Sequence, residues 1–365
     1  MKLSAKRQEL ADAFQLTSGA VSARTVKPIL QNVKVSAATG GVELLATDLD
    51  VGMRLKVDGV EVVEEGEALM PAARVAAILK ELRDEDVTME TDGLTTVITT
   101  STDKYHVMGD NPAEYPEVAN FRQDDSSEVS PGELTDMVDK TAFAVATEAT
   151  RYAFNGILFV FKKDLLELVA TDGRRLAYVT RKAKGVKEIG REIIVPPRVM
   201  GQFRRVVAPD DTSVKIAVEG NQILLQTARA VVTGRLVEGH FPAYDEVIPK
   251  DYPAKIKLDR EAFRSGIRRA ALLTNEESKA VKLAFAKKKL VLSARTAELG
   301  DARVEMAADY DGEAIEISFN PDFLEDVLKV LDDDVVTFEL KDADSAGVLK
   351  AKNNYLYVIM PVKTA

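Results

Sequence analysis

The chain is 365 residues long, carries a net charge of −10 at neutral pH and contains no cysteine, which excludes disulfides, thiolate metal sites and cysteine nucleophiles. With 46% hydrophobic and 30% charged residues, it has an ordinary globular composition and room for two or three domains at roughly 150 residues each. Its two histidines, His106 and His240, are too few for a His-rich metal site, and no run reaches the roughly 18 apolar residues of a membrane span.

The opening "MKLSAKRQEL" lacks the apolar core of a signal peptide, so a cytoplasmic location is expected. "SAKRQELADAFQL" predicts an amphipathic helix from about Ser4. "GVELLATDLDVGMRLKV" (41–57) predicts two strands around a turn, and "MPAARVAAILKEL" from Met70 a proline-led helix. "LTTVITTS" (94–101) alternates as a strand, and the polar "QDDSSEVSPG" (123–132) reads as a linker. A second helix-opening signal follows at Ser130, which with Glu133 has capping-box spacing. "LLELVATDGRRLAYVT" (165–180) again predicts strand, turn, strand, and "VPPRVMGQFRRVV" from Val195 a helix. "NQILLQTA" (221–228) reads as a strand and "IPKDYPAK" (248–255) as a second linker. Asp259 is a candidate N-cap for "DREAFRSGIRRAALL". "KLVLSARTAELGDARVEM" (289–306), "NPDFLEDVLKVL" from Asn320 and the strand "NYLYVIMPV" (354–362) complete the chain.

These elements recur. Thr47, Thr171 and Thr296 stand 124 and 125 residues apart, and Pro71, Pro196 and Pro321 follow them by 24, 25 and 25. Proline suits a first helical turn because its missing N–H had no partner there. The chain therefore reads as three tandem α+β domains of one type, 1–124, 125–252 and 253–365. Within them, "ATDGRRLA" (170–177) is either a hairpin turn or half of a phosphate or metal site. Asp-Gly between apolar runs favours the turn.

The helices carry basic flanks. Arg198 and Arg205 lie opposite Met200, Phe203 and Val207; Arg264 and Arg268 flank Phe263, Ile267 and Ala270; Lys80 lies opposite Val75, Ile78 and Leu79. Singly, these are solvated helix faces. Their recurrence in an acidic chain points to a polyanion held on one face only.

Five segments, "TVKPIL" (25–30), "RYAFNGILF" (151–159), "ATDGRRLA", "RLVEGHFPAYDEVIP" (235–249) and "YVIMPV" (357–362), resemble the bacterial DNA polymerase III beta subunit, the sliding-clamp family. They do so in order over the whole chain. The resemblance implies a DNA clamp fold and a head-to-tail homodimer, six domains closing a ring with helices lining the hole and sheets outside. It implies a non-catalytic processivity factor without cofactor or metal, which encircles double-stranded DNA without reading its sequence. The partners implied are the replicative polymerase subunit, an ATP-driven clamp loader and other proteins carrying clamp-binding peptides; no membrane is involved.

By the same resemblance, DNA contacts fall on Arg24, Arg74, Tyr152 and Arg198, with Glu148 and Ala153 where the family has glutamine and tyrosine. A partner-peptide pocket falls on Phe154, Thr171, Gly173, Arg174, Arg175, Leu176, Pro242, Val247, Val358, Met360 and Pro361. Arg174, Phe154 and Glu246 replace a histidine, a leucine and an arginine of the enterobacterial pattern. Leu272 and Leu273 are expected at the dimer interface against the partner's Tyr105 and Val107. Two rival readings remain: a metal-dependent nuclease using Asp48, Asp50 and Asp172 around Mg²⁺, and a repeat-built adaptor that never meets DNA. Asp48 and Asp172 occupy equivalent places in successive repeats, which disfavours a shared ion.

Overall fold

The computed structural model describes residues 1–22, 25–121, 126–148, 152–250, 252–275 and 279–363. Its element order repeats three times. The first pass runs β1 (Lys2–Lys6), α1 (Arg7–Thr17), β2 (Asn32–Ala38), β3 (Gly41–Thr47), β4 (Val51–Val57), β5 (Val60–Glu64), β6 (Gly66–Pro71), α2 (Ala72–Glu81), β7 (Asp86–Asp92), β8 (Thr95–Thr99) and β9 (Lys104–Met108). The second runs β10 (Ser127–Val129), α3 (Pro131–Asp139), β11 (Ile157–Lys162), β12 (Leu165–Thr171), β13 (Arg175–Lys182), β14 (Ile193–Val195), α4 (Pro197–Val206), β15 (Val214–Glu219), β16 (Gln222–Gln226) and β17 (Ala230–Arg235). The third runs β18 (Ala254–Asp259), α5 (Arg260–Ala271), β19 (Val281–Ala286), β20 (Lys289–Thr296), β21 (Gly300–Ala307), β22 (Ile315–Phe319), α6 (Pro321–Val330), β23 (Val335–Leu340), β24 (Gly347–Ala351) and β25 (Tyr355–Ile359).

Compactness cuts the chain differently from the repeat. One unit comprises residues 1–131 and 198–236, the other 132–197 and 237–365. The first holds the sheets β5-β1-β7-β8-β9 and β10-β15-β16-β17-β4-β3-β2-β6; the second holds β14-β11-β12-β13-β25-β24-β23-β18 and β21-β20-β19-β22. The reason is a seam inside each eight-stranded sheet. β4 of the first repeat pairs antiparallel with β17 of the second, from Val51↔Gly234 to Leu55↔Ala230. β13 of the second pairs with β25 of the third, from Arg175↔Ile359 to Val179↔Tyr355. Backbone ladders therefore stitch the second repeat to both neighbours.

The helices bury the stripes their spacing dictates: Leu10, Ala13 and Phe14 on α1, Val199, Met200, Phe203 and Val206 on α4, Phe263, Ile267 and Ala270 on α5. Asp259 caps α5 by accepting from Ala262 N at 2.7 Å, and Asn320 caps α6 by accepting from Asp322 N at 2.9 Å. Each satisfies an amide that the first turn leaves open.

Two expectations are corrected. The first helix begins at Arg7, not Ser4, because Lys2–Lys6 is strand β1 between β5 and β7; the alternation of buried Leu3 and Ala5 outweighs helical spacing there. The expected linkers are also partly structured, since Ser127–Val129 forms β10 and Ala254 opens β18. Each repeat thus begins with a strand ahead of its first helix. Among the described residues, no helix is long and apolar enough to cross a membrane.

Candidate functional site

The turn at Thr171–Leu176 is built by its own side chains. Thr171 Oγ1 donates to Arg175 O at 2.7 Å and accepts from Gly173 N at 3.1 Å. Asp172 Oδ1 accepts from the amides of Arg174 and Arg175 at 2.9 and 3.0 Å. Gly173 sits at φ +86°, which glycine adopts without strain. The first repeat reproduces this set: Thr47 Oγ1 donates to Val51 O at 2.9 Å and accepts from Leu49 N at 3.0 Å, and Asp48 Oδ1 accepts from the amides of Asp50 and Val51 at 3.1 and 2.9 Å. The hairpin reading of "ATDGRRLA" holds, with each aspartate spent on its own turn. Among the described residues no group of three metal-ligating side chains converges.

A cavity of about 190 Å³ opens beside the second turn. Phe154, Thr171, Gly173, Arg174, Arg175, Leu176, Pro242, Val247, Val358 and Met360 line it together, joined by Ala243 and Tyr244. Of its lining, Leu176, Tyr244 and Val358 belong to a buried cluster that continues behind them through Leu158, Val160, Val169 and Ile194. An aromatic wall runs from Phe154, edge-on to Phe241 at 6.3 Å, to Tyr244, edge-on to Phe241 at 6.4 Å and stacked on Tyr178 at 6.1 Å. Burial pushes the Tyr244 hydroxyl well above its usual range, and it donates to Glu167 at 3.3 Å. At the mouth, Val247 is 57% and Met360 49% exposed. Apolar side chains open to water around a few polar groups suit a peptide with aliphatic or aromatic anchors.

The two arginines of the turn differ. The Arg175 guanidinium is consumed: Nε donates to Asp172 at 3.0 Å, Nη1 to Asp326 at 2.7 Å and Nη2 to Phe143 O at 2.7 Å. It also lies 4.3 Å from the Phe323 ring centroid. Arg174 is exposed and, among the described residues, its side chain has no partner, so it is the cation available at the rim. Pro361, expected in the pocket, does not line it: Val362 N donates to Ser318 O at 2.8 Å, and the chain has already turned toward β22. Tyr244 and Ala243 were missed. A further repeated landmark marks them, since Pro242-Ala-Tyr-Asp-Glu-Val247 parallels Pro112-Ala-Glu-Tyr-Pro-Glu-Val118.

Other expected residues lie elsewhere. Arg74 is exposed on α2, whereas Arg198 on α4 forms an ion pair with Asp48, whose side chain is only 7% exposed. Arg24 and the side chain of Tyr152 lie outside the described residues. Arg264 is not a free cation, because Nε and Nη2 both donate to Glu325, at 2.9 and 2.8 Å. Leu272 is 76% exposed and Tyr105 is exposed on the edge strand β9, with Leu273 half-buried. Val107 departs from expectation, being buried in its own chain; Met108, unforeseen, is exposed beside it.

The comparisons agree along the whole chain. The family descriptions "DNA polymerase III beta subunit" N-terminal, central and C-terminal domain match residues 1–119, 128–243 and 245–363. The beta sliding clamp of Pseudomonas putida is 29% identical over 100% of both chains, and that of Chlamydia muridarum 28% over 100% of this chain and 99% of its own. Among solved structures, the DNA polymerase III subunit beta of Pseudomonas aeruginosa superposes with a TM-score of 0.94 at 28% identity. The Bartonella birtlesii sliding clamp bound to griselimycin superposes at 0.93 with 30% identity; both cover 100% of each chain. With three successive domains matched over nearly every residue, the chain belongs to the DNA polymerase III beta subunit family, the beta sliding clamps.

Proposed function

We propose that this protein is the sliding clamp of a bacterial replicative polymerase: a cytoplasmic, non-catalytic processivity factor that encircles duplex DNA as a head-to-tail homodimer. Polymerase, clamp loader and other partners dock by peptide in the pocket beside Thr171–Leu176. The three sequence domains, 1–124, 125–252 and 253–365, are its repeating units.

One observation carries the ring. β4, β13 and β21 each follow the equivalent threonine turn of their repeat, at Thr47, Thr171 and Thr296, and β17, β25 and β9 each close a repeat. β4 joins β17 and β13 joins β25, which leaves β21 and β9 as the unpaired members, each at the edge of its sheet. An exposed edge invites pairing with another chain. Pairing β21 of one subunit with β9 of the next repeats the two seams a third time, and that contact is heterologous, so it closes into a ring when the rotation allows.

The charge pattern supports DNA as the enclosed partner. The chain is acidic overall, yet Arg74, Lys80, Arg198, Arg204 and Arg205 stand exposed on α2 and α4. A few cations centre phosphates without the tight, salt-steep grip of a stationary binder. Retention on circular against linear DNA tests the reading, alongside mass in solution. A species of twice 39.9 kDa that stays on circles and slides off linear ends is expected. Cleavage would indicate the nuclease, and indifference to both forms the adaptor.

A further inference from the structure

The first repeat carries a second cavity, of about 150 Å³, on the turn Thr47–Gly52. The backbone frame is the same as at the first pocket: Arg235 N donates to Asp50 O at 2.8 Å, as Met360 N does to Arg174 O at 2.9 Å. Opposite pairs fall in the same places, Gly52↔Thr233 where the other site has Leu176↔Val358. The side chains are inverted in character. Gly52 and Thr233 replace the apolar floor, and Asp50 replaces the cation Arg174 at the rim. Arg235, whose side chain is not free, stands where the other site has Met360, so that Asp50 and Glu117 together outweigh the one cation in the lining.

Three groups in this cavity lack partners among the described residues. Thr233 is 6% exposed, and its hydroxyl makes no hydrogen bond. It stands over Gly52, where an added Cβ would lie 2.5 Å from Thr233 Oγ1, so the missing side chain is what keeps the hydroxyl open. Asp50 and Glu117, both exposed on the lining, have carboxylates without an ion pair or hydrogen bond. Thr233 is buried but its unpartnered oxygen is not sealed from solvent, which leaves an acceptor open to the cavity. A donor-rich ligand would satisfy it. The same turn already accepts one guanidinium, since Asp48 holds Arg198. Leu49, held at φ +81° where the other turn uses glycine, keeps a half-exposed apolar side chain at the lip.

We propose that this cavity is a second partner-contact site, which takes the arginine or lysine side chain of a bound protein segment. Asp50 and Glu117 meet the charge, Thr233 Oγ1 accepts a hydrogen bond from the head group, and Leu49 and Val118 cover its methylenes. The inference does not depend on the clamp reading, because the cavity's polarity is its own.

Methyl-resolved NMR of the full chain tests it, with N-acetyl-arginine amide as probe and the neutral isostere N-acetyl-citrulline amide as control. The arginine probe should shift Leu49 and Val118 methyls saturably and leave Leu176 and Met360 unmoved, while citrulline does neither. The Asp50→Asn/Glu117→Gln variant should weaken binding by roughly tenfold or more, and Thr233→Val by a smaller factor, with spectra elsewhere unchanged. Equal response to citrulline, no saturable shift, or undiminished binding by the double variant would each overturn the proposal.

Discussion

The guanidinium of Arg175 meets the carboxylate of Asp326 at 2.7 Å, and through it the pocket's turn is tied to helix α6. The Arg175 side chain is 10% exposed and serves three acceptors at once. Lysine cannot reproduce that fork. Arg175→Lys is expected to cost roughly 2–4 kcal/mol, because buried acceptors lose their donors. Asp326 is 41% exposed, so Asp326→Asn should cost only about 1 kcal/mol after solvent screening. Urea unfolding reads the first effect, and titration with a Leu/Phe-anchored peptide reads the displaced pocket wall. Wild-type behaviour of Arg175→Lys in both would show that the guanidinium does not hold the turn.

Why the sequence showed the pocket better than the charges follows from the chemistry. Thr171, Asp172 and Gly173 form their turn by contacts within five residues, so a local pattern suffices. The threonine-to-threonine spacing then revealed the repeat. The partners of Arg175, Arg198 and Arg264 lie far along the chain, at Asp326, Asp48 and Glu325, and helical spacing cannot say that a cation is already neutralised. Lys2–Lys6 was illegible for the opposite reason: five residues with two buried positions fit a helix start as well as a short strand paired on both sides. Val107 fails similarly, since alternation alone does not say which face of β9 meets its own core.

Tyrosine ionisation should set the alkaline limit. Burial raises the hydroxyl of Tyr115 to about 12, and burial with the Glu167 charge raises Tyr178 to about 12. An unfolded tyrosine titrates near 10. Because the folded value is the higher, this stability is fully present below about pH 10 and is lost as pH rises through about 12. Tyr115 also accepts from Thr47 N at 3.0 Å and donates to Asn32 O at 3.1 Å. Tyr115→Phe should therefore cost about 2 kcal/mol at neutral pH while flattening the loss above pH 10. Denaturant curves at both pH values would check it; an unaltered alkaline slope would remove Tyr115 from this role.

The proposed seam has a register. Gly300 pairs with Thr296 as Gly52 does with Thr47, and the Asp92↔Thr95 hairpin aligns β9 with β17 through Glu219↔Gln222. Ala302 should then face the partner's Lys104, as Arg54 faces Val231. The chain has no cysteine, so Ala302→Cys with Lys104→Cys offers one inter-subunit bond, at a Cα separation near 5 Å that a disulfide tolerates. Oxidation should give a covalent dimer on a non-reducing gel. Ala302→Cys with His106→Cys, displaced by two residues, should link poorly; equal yields would mean the edges do not pair in this register.

Arg74 and Arg198 separate DNA contact from stability. Arg74 is exposed on α2, and among the described residues it has no partner. Arg74→Glu is therefore expected to leave the unfolding curve within about 0.5 kcal/mol of the parent. It should nonetheless speed loss from circular DNA, most of all at low salt, where a reversed charge repels phosphates over the longest range. Arg198 is bound to the buried Asp48, which also holds the Thr47–Gly52 turn through two amides. Arg198→Glu would set two carboxylates against each other there. It should lower stability by roughly 1–3 kcal/mol, tempered by the 45% exposure of the Arg198 side chain, besides weakening DNA retention. Arg198→Gln keeps hydrogen bonding without repulsion, so its retention defect reports the lost cation alone. If Arg198→Gln and Arg74→Glu both hold DNA as the parent does at low salt, the basic faces of α2 and α4 are not the DNA surface. A defect in Arg198→Glu alone would then trace to the broken turn.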